Sequence, residues 1–417
     1  MRLKGDLTRT RVQVVEDFWS ATSSSYASGR VPFDHSGVCC VDDAGRFLLA
    51  LIHQTGVRMC APGIEMRHHS PLLPVVLALF AAATAAFAAE PPDHRGRLFR
   101  FEFDNDTFLG SDDAFTAGWS LQLHTATQDT WTGRVGRTIA HIPGLGDDGQ
   151  GGRVVRRGYT LSQQIVTPND ITIAEAQPDD APWAGVLALS ASWAAFDDMR
   201  LCAFQITVAC VGPCSGAEKA QKFVHEDLHR GATPRGWDNQ LEQQWVANVV
   251  YGASWKLLRS RDDGGGRRWG QDLSAGSQVG LGNLATFADA FVQWRIGRSL
   301  PRGFTRLPDP AGMGVAIDPV LPPASRAGDK WRLYATVTGR ATYMAHHVIA
   351  EGGATEDGPD HPGVEYVRPQ LEAIVGLHVE CWRLGLSVTG YRYLGEDTDL
   401  AHGTSRDWVA LALNVRY

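Results

Sequence analysis

One histidine stands in a context that could do acid–base chemistry. Residues 212–225 read Gly-Pro-Cys-Ser-Gly-Ala-Glu-Lys-Ala-Gln-Lys-Phe-Val-His, and Ser215 with Glu218 predicts a capping box that begins a helix. On that helix Gln221 and His225 are four residues apart and share a face, so the glutamine can accompany an oriented general base. A helical histidine is also commonly structural, and the spacing alone leaves both interpretations open.

The same helix contains a second pattern, that of a zinc protease. Residues 225–229 read His-Glu-Asp-Leu-His, the H-E-x-x-H arrangement in which two histidines bind zinc and the glutamate is the base. Gly231 falls one residue too early for the usual G-x-x-H continuation, and Glu242 is the nearest acidic candidate for a third ligand. Zinc-dependent proteolysis is therefore an alternative to a metal-free histidine base.

Oxygen-bearing side chains occupy other stretches of the chain. An Asn105-Asp106 pair closes a predicted strand, where it can offer oxygens to a hard cation or form a plain Asx turn. The stretches 167–170 and 180–185 are rich in Pro, Asp and Gly and are typical of loops. Spacing alone assigns no chemistry to any of them.

Strands are the elements predicted to position these residues. Phe99, Phe101 and Phe103 alternate with polar residues, and this period of two recurs in stretches of roughly ten residues with aromatics near their ends. We predict twelve strands, at 97–105, 115–125, 157–166, 185–195, 199–209, 244–257, 268–281, 284–297, 330–341, 364–379, 381–393 and 407–417. This indicates an all-β chain, a transmembrane antiparallel up-and-down β-barrel with a short helix in an outward loop. A large soluble sandwich has the same alternation.

The last strand favours the barrel over the sandwich. Val409, Leu411, Leu413, Val415 and Tyr417 share one parity, and the chain ends on an aromatic, as strands recognised by the barrel assembly machinery do. With both termini in the periplasm, the links after strands one, three and five face outward. The long link 298–329 does not fit this scheme, because it falls on the side where turns are expected to be short.

The region before the barrel has the marks of export. Residues 66–89 combine a positive start, an apolar stretch and an Ala-Phe-Ala sequence, which is the pattern of a secretory signal peptide, with an internal membrane anchor as the alternative. We therefore predict that Met66 is the true start, that 1–65 is a mis-called or disordered leader, and that the barrel domain covers 90–417. The net charge of −7 gives no indication of nucleic-acid binding.

Four cysteines lie in the predicted barrel domain: Cys202, Cys210, Cys214 and Cys381. An exported protein can oxidise them, but their pairing does not follow from sequence. The Cys210-x-x-x-Cys214 spacing has no metal-site partner, so it is either incidental or one disulfide.

Taken together, these segments resemble the lipid A 3′-O-deacylase family (LpxR-type), over about residues 97–417. The matching elements, in chain order, are Asn105-Asp106, Asp113-Ala-Phe115-Thr116-Ala-Gly118, Thr167-Pro168-Asn169-Asp170, Asp180 with Pro182 to Gly185, Gly212-Pro213-x-Ser215 with Gln221 and His225, and Gly236-Trp237-x-x-Gln240-Leu241. The combination and its order are far more specific than any single element.

The resemblance implies a twelve-stranded outer-membrane barrel that uses Ca²⁺ to hydrolyse the ester of the 3′ acyl chain of lipid A. The implied mechanism is similar to that of secreted phospholipase A2. Carried over to this chain, His225 deprotonates water, while calcium near Asn105 and Asp106 polarises the ester carbonyl and holds the oxyanion. Thr116 and Gln221 complete the pocket, and the strand alternation predicts that Thr116 points inward.

The resemblance also assigns Asp113, Asp180 and Trp183 to substrate binding. It implies lipid A or lipopolysaccharide as partner, in the bilayer of the Gram-negative outer membrane, with the site facing the outer leaflet. Two departures bear on this: Ala181 replaces a common arginine that could hold a phosphate, and Gln244 replaces a common glutamate. A zinc protease and a non-catalytic barrel such as a porin are the alternatives.

Overall fold

The chain forms two compact units, Met1–Val75 and Val76–Tyr417. The computed structural model describes residues 2–7, 33–41, 59–60, 96–105, 115–146, 152–227, 232–260, 269–306, 313–321, 331–353, 367–394 and 407–417. In the first unit β1 (Arg2–Leu7), β2 (Phe33–Val41) and β3 (Met59–Cys60) form a parallel sheet. The signal peptide predicted over 66–89 lies outside the described residues, so the leader, signal and domain boundaries stay predictions.

The second unit contains a closed barrel of twelve antiparallel strands, which confirms the predicted fold. In chain order these are β4 (Leu98–Asn105), β5 (Phe115–His124), β6 (Val154–Val166), β7 (Ala184–Phe196), β8 (Arg200–Val211), β9 (Gln244–Arg259), β10 (Trp269–Gly282), β11 (Ala285–Arg298), β12 (Trp331–His347), β13 (Pro369–Cys381), β14 (Leu384–Tyr393) and β15 (Asp407–Arg416). Each strand pairs with its neighbours in sequence, and β15 pairs with β4 to close the barrel. A two-sheet sandwich is thereby excluded.

Side chains alternate between a polar lumen and an apolar outer wall. Gln205 and Thr207 of β8 are buried inside, whereas Ile206 and Val208 between them are 41% and 49% exposed. The same outward exposure recurs on β7, where Leu189 is 63% exposed. This inverted pattern, apolar outside and polar inside, is what a barrel surrounded by lipid requires.

Two helices and a π-helical turn lie in the links between strands. Helix α1 (Gly133–Ile139) follows β5, and α2 (Ala217–Lys222) follows β8 and continues into the π turn Phe223–Asp227. Among the described residues, no helix combines the length and the apolar character that a membrane span requires.

The described residues of the long link between β11 and β12, 299–306 and 313–321, lie in the lumen, which explains why the length of the link does not fit a periplasmic turn. The backbone N–H of Ala316 donates to Gln205 of β8 at 2.9 Å, and that of Val315 donates to Gln278 of β10 at 3.1 Å. On other sides of the lumen, Asp318 accepts from Arg156 of β6 at 2.5 Å and from Arg416 of β15 at 2.8 Å. A segment bonded to opposite walls lies inside the barrel, and we call residues 299–306 with 313–321 the lumen segment.

Candidate active site on the outer barrel wall

The helix that follows β8 packs against the outer face of the barrel. The backbone N–H of Gly212 donates to the carbonyl of Gly185 at 2.9 Å, which brings the chain back over β7. A Cβ on Gly185 would lie 2.1 Å from Ser215 Oγ and 2.2 Å from the Cβ of Ala217. Gly185 has the same outward parity as the exposed Leu189. The helix therefore covers a part of the outer wall, which elsewhere is exposed to lipid.

The predicted helix is present, but the predicted capping box is wrong. Residues Pro213–Ser215 form a 3-10 turn, and the helix begins after Gly216, whose φ of 69° is the left-handed conformation that suits glycine. Ser215 Oγ instead donates to the carbonyl of Gly212 at 2.6 Å. Glu218 pairs with Lys222 at 2.6 Å, and this hydrogen bond raises the pKa of the lysine.

His225 is oriented by a backbone carbonyl. Its Nδ1 lies 2.7 Å from the carbonyl oxygen of Ala232. A carbonyl can only accept, so Nδ1 carries the proton and Nε2 keeps its lone pair, which is the tautomer that a general base needs. The α-helix ends at Lys222 and gives way to the π turn, so the period that placed Gln221 and His225 on one face is not kept between them.

Gln221 is held by a tryptophan from the returning half of the same link between β8 and β9. The indole Nε1 of Trp237 donates to Gln221 Oε1 at 2.7 Å, and both side chains are buried. Because an indole N–H can only donate, the glutamine oxygen must face it and the amide NH₂ must point away. That Nε2 is buried and has no protein acceptor in the described part of the chain.

Trp183, assigned to substrate binding by the resemblance, lies fully buried at 0% exposure. Its ring centroid is 5.1 Å from that of Trp237, with the planes at 60°. The backbone of Gly236 approaches closely, since a Cβ there would lie 2.4 Å from Trp183 Nε1. Its contacts within the structure are therefore with the loop that holds Gln221, and a contact with substrate stays a prediction.

The two loop motifs that sequence treats separately are joined in space by Asp180. Its carboxylate accepts from the backbone N–H of Asn169 at 2.9 Å and from that of Ala181 at 2.7 Å. Asp170 forms an Asx turn, and the hydrogen bonds from the hydroxyl and backbone of Thr172 lower its pKa. Asp180 thus ties these loops together, and a direct role in substrate binding stays a prediction.

The predicted metal-binding segment begins at the level of the barrel wall against which α2 packs. Asn105 pairs with Ala117 of β5, which pairs with Ile165 of β6, and Ile165 packs with Ala217 of α2. Two strand spacings separate Asn105 from Ile165, or about 10 Å. By alternation with Phe103, Asn105 belongs to the outward face that α2 covers.

Three other predicted residues are described either in part or not at all. Asp106 and Asp113 lie outside the described residues. Thr116 has a described backbone in β5, where the register with β6 shifts between Phe115 and Ala117. The side chain of Thr116 lies outside the described part of the chain, so its predicted inward direction stays a prediction. Its place in the pocket stays a prediction.

The donor chemistry near Asn105 fits a hard cation. An Asn–Asp pair offers only amide, carboxylate and backbone oxygens, which are the ligands that Ca²⁺ prefers. Within the described ranges, no three His, Cys, Asp or Glu side chains cluster as metal ligands. His229, the second histidine of the zinc pattern, lies outside those ranges.

A disulfide anchors the base of the helical loop. Cys210, near the end of β8, is bonded to Cys214 in the 3-10 turn, which settles the two interpretations of their spacing. Among the described cysteines, Cys202 and Cys381 are not disulfide-bonded. The bond holds the start of the loop against the strand from which it leaves.

Sequence reasoning missed three positioning groups of this site. Trp237 was noticed only as part of the G-W match, and Gln163 was not singled out, although it donates to the carbonyl of Ser215 at 2.6 Å. Ala232 acts through its backbone carbonyl and has no sequence signal at all.

A closed twelve-stranded barrel with an apolar outer band and a polar lumen defines the class: an outer-membrane β-barrel protein. The match to family models then identifies the family. Residues 73–414 match the model of the outer membrane protein LpxR family, and the chain belongs to that family. Membership implies a function of the lipid A deacylase type and a location in the outer membrane.

Solved structures agree with this fold. LpxR from Salmonella typhimurium aligns with a TM-score of 0.59 at 12% identity, covering 77% of this chain and 100% of that protein. The β domain of the Bordetella autotransporter BrkA (TM-score 0.36, 9% identity, 77% and 98% covered) and the translocator domain of NalP from Neisseria meningitidis (0.37, 7%, 82% and 96%) are more distant. No curated protein matches the chain by sequence.

Proposed function

We propose that this chain hydrolyses the ester that holds the 3′-linked acyl chain of lipid A, with His225 as the base that activates water. The observation that carries the proposal is the 2.7 Å hydrogen bond from His225 Nδ1 to the carbonyl of Ala232. It leaves Nε2 as an acceptor at the rim of the outer wall. The barrel is oriented with this end at the outer leaflet.

The chemistry follows from the residues of the site. Nε2 of His225 takes a proton from water as the water oxygen attacks the ester carbonyl carbon. The bond between the acyl carbon and the 3′ oxygen of the sugar then breaks, and the proton passes from the histidine to the departing 3′ oxygen. The products are a free fatty acid and a lipid A with a 3′ hydroxyl.

Gln221 is the protein donor to the developing oxyanion. Trp237 fixes the amide so that Nε2 points away from the indole, and this N–H has no other acceptor in the described part of the chain. A preorganised donor of this kind contributes more in a transition state than in the ground state, because it needs no reorientation as charge develops.

Asn105 and Asp106 would hold a calcium ion, which when bound supplies positive charge for polarising the ester carbonyl. Thr116 completes the pocket, while Asp113, Asp180 and Trp183 contribute to substrate binding. Ala181 and Gln244, which replace a common arginine and glutamate of the family, point to a shifted preference for the lipid A head group.

The position of the site supports a lipid substrate. Phe223 and Val224, next to His225 in the π turn, are 54% and 41% exposed. The site helix packs on the same wall that elsewhere exposes apolar side chains. An acylated lipid in the leaflet can therefore reach His225 laterally, with its chains against this apolar surface.

The test is mass spectrometry of lipid A from cells that express the chain, beside His225→Ala and the matched control His346→Ala. His346 is a histidine at the same end of the barrel that pairs with Glu351. We expect loss of one 3′-linked acyl group with the wild type and the control, and unmodified lipid A with His225→Ala. Heat-dependent mobility on gels checks that each barrel is folded.

Calcium and the zinc alternative are separated with purified protein. After chelation, activity should return with Ca²⁺ and should survive His229→Ala, because the deacylase needs only one histidine. Casein hydrolysis restored by zinc and lost in His229→Ala would instead establish the protease. Unchanged lipid A from a folded wild-type barrel would refute the deacylase for this substrate.

A further inference from the structure

A second loop also lies on the outer wall, at the opposite end of the barrel from the site. The link that contains α1 covers β6 to β9, where Ile139 and Leu145 pack on Trp193, Cys202 and Ala253. These wall residues have outward parity, so the loop rests on the face that lipid surrounds. It is tied down where Tyr251 Oη donates to the carbonyl of Pro143 at 2.9 Å.

The loop is further fixed by one tryptophan and one arginine. Trp131 Nε1 donates to the carbonyl of Leu145 at 2.6 Å, and Arg157 of β6 donates to the carbonyl of Thr132 at 2.5 Å. The Arg157 guanidinium carbon lies 5.7 Å from the centre of the Trp131 ring. Hydrogen bonds from Tyr251 and Arg157 on the wall, and one from Trp131 within the loop, thus hold the loop in a defined position.

The loop lies at the level along the barrel where a membrane interface is expected. From β9 onwards, the same end carries a girdle of exposed tryptophans: Trp255, Trp269, Trp294, Trp331 and Trp382. Trp255 pairs with Arg200, two residues nearer the end than the Ala253–Cys202 pair beneath the loop. Aromatic girdles mark the level of lipid headgroups. Beyond the loop on β7 and β8, the wall is bare and apolar.

The exposed side of residues 131–146 is basic. Arg134, Arg137 and His141 are exposed there, and this stretch contains no Asp or Glu, while Asp129 and Asp147-Asp148 flank it in the sequence. In the described part of the chain, no acidic side chain forms an ion pair with Arg134 or Arg137. Val135 between them is 60% exposed, so apolar and basic groups alternate on the same surface.

We propose that this loop is a binding surface for anionic phospholipid headgroups, in which Arg134 and Arg137 hold the lipid phosphate. The apolar wall packs the acyl chains, the tryptophans set the depth, and the two guanidinium groups take the negative charge. The surface is at the chain-terminal end of the barrel, so it meets the leaflet opposite to the one that supplies the substrate. The headgroup contact does not depend on the catalytic step, but the assignment of the leaflet rests on the orientation given with the proposed function.

The test counts lipids retained by the purified full-length protein in native mass spectrometry. The protein in dodecyl maltoside is mixed with phosphatidylglycerol, phosphatidylcholine or inorganic phosphate. We expect phosphatidylglycerol to be retained on the order of tenfold better than phosphatidylcholine, an advantage that R134Q/R137Q loses and R134K/R137K keeps. High salt should reduce it as well.

The matched control is R368Q/R392Q, which removes the same charge from exposed arginines at the other end of the barrel. It should retain phosphatidylglycerol as the wild type does, and gel mobility with and without heating checks that all variants are folded. Equal retention of both lipids, or full retention by R134Q/R137Q, would overturn the proposal. So would inorganic phosphate that displaces the lipid completely, because the acyl chains would then contribute nothing.

Discussion

The indole of Trp237 donates a 2.7 Å hydrogen bond to the side-chain oxygen of Gln221, and this bond ties the two halves of the link between β8 and β9 together. The first half carries the helix with Gln221 and His225, and the second half returns to β9. Trp183 packs on the same indole from the link between β6 and β7. The orientation of the glutamine amide is thus a property of the assembled loops.

Trp237→Phe keeps an aromatic side chain but removes the indole N–H donor together with part of the ring volume. Leaving a buried oxygen unpaired costs about 1–3 kcal/mol, so we expect kcat to fall about tenfold with KM nearly unchanged. Gln221→Ala should lower kcat further, on the order of a hundredfold to a thousandfold, because it removes the oxyanion donor itself. The control is Trp294→Phe, whose indole also donates to a glutamine, at 3.2 Å on the far side of the wall. Equal kcat for Trp237→Phe and wild type would contradict the positioning role.

Gly185→Ala tests the close contact between wall and helix. The new methyl would overlap Ser215 and Ala217, so the helix must shift and activity should be lost, with about 1–3 kcal/mol of overpacking strain. Gly339→Ala is the matched control, because it is an outward glycine of β12 whose Cβ would meet nothing within 4 Å. Deacylation and thermal unfolding are measured for both; full activity in Gly185→Ala would show that the helix is not held by this contact.

Asp318→Asn tests the lumen segment. The carboxylate pairs with Arg156 and Arg416, and its neutralisation leaves two guanidinium groups without a counter-charge inside the barrel. We expect a loss of about 3–5 kcal/mol of stability. In planar bilayers the wild type should not conduct ions, since the segment bridges opposite walls, whereas the variant should open intermittently. Steady conductance from the wild type would favour a porin.

The pH dependence of stability is predicted from Asp198, in the turn between β7 and β8. Burial raises its pKa, but the hydrogen bonds and charges of Arg302 and Arg259 outweigh burial, and the net pKa is lowered. A lowered folded pKa contributes stability above the unfolded value of about 4 and loses it as the pH falls further.

Asp198→Asn should therefore be less stable than wild type at pH 7, and the difference should shrink as the pH falls below about 4. Thermal unfolding followed between pH 7 and pH 3 measures this difference. Asp179→Asn, at an exposed loop aspartate, serves as the control, and its stability should change with pH in the same way as that of the wild type. A constant difference across the range would mean that the ion pairs contribute nothing.

The architecture could be predicted because its signal is local. Alternation along each strand depends only on which face meets lipid, so Phe99, Phe101 and Phe103 already indicate a wall. The helix before His225 could be predicted for the same reason, because its polar and small residues directly follow a Gly-Pro turn. The capping box failed because a tight 3-10 turn removed Ser215 from the cap position, which is a matter of backbone path rather than of residue type.

By itself, then, the sequence determined the twelve strands, the loop helix and the candidate base His225. Only the tertiary structure decided that the helix lies on the outer wall, that Ala232 orients His225, that Trp237 orients Gln221 and that the lumen segment lies inside the barrel. These depend on backbone carbonyls and on contacts between residues that no regular spacing relates. A carbonyl is the same in every residue, and such a partner leaves no periodic pattern, so neither can be read from one sequence.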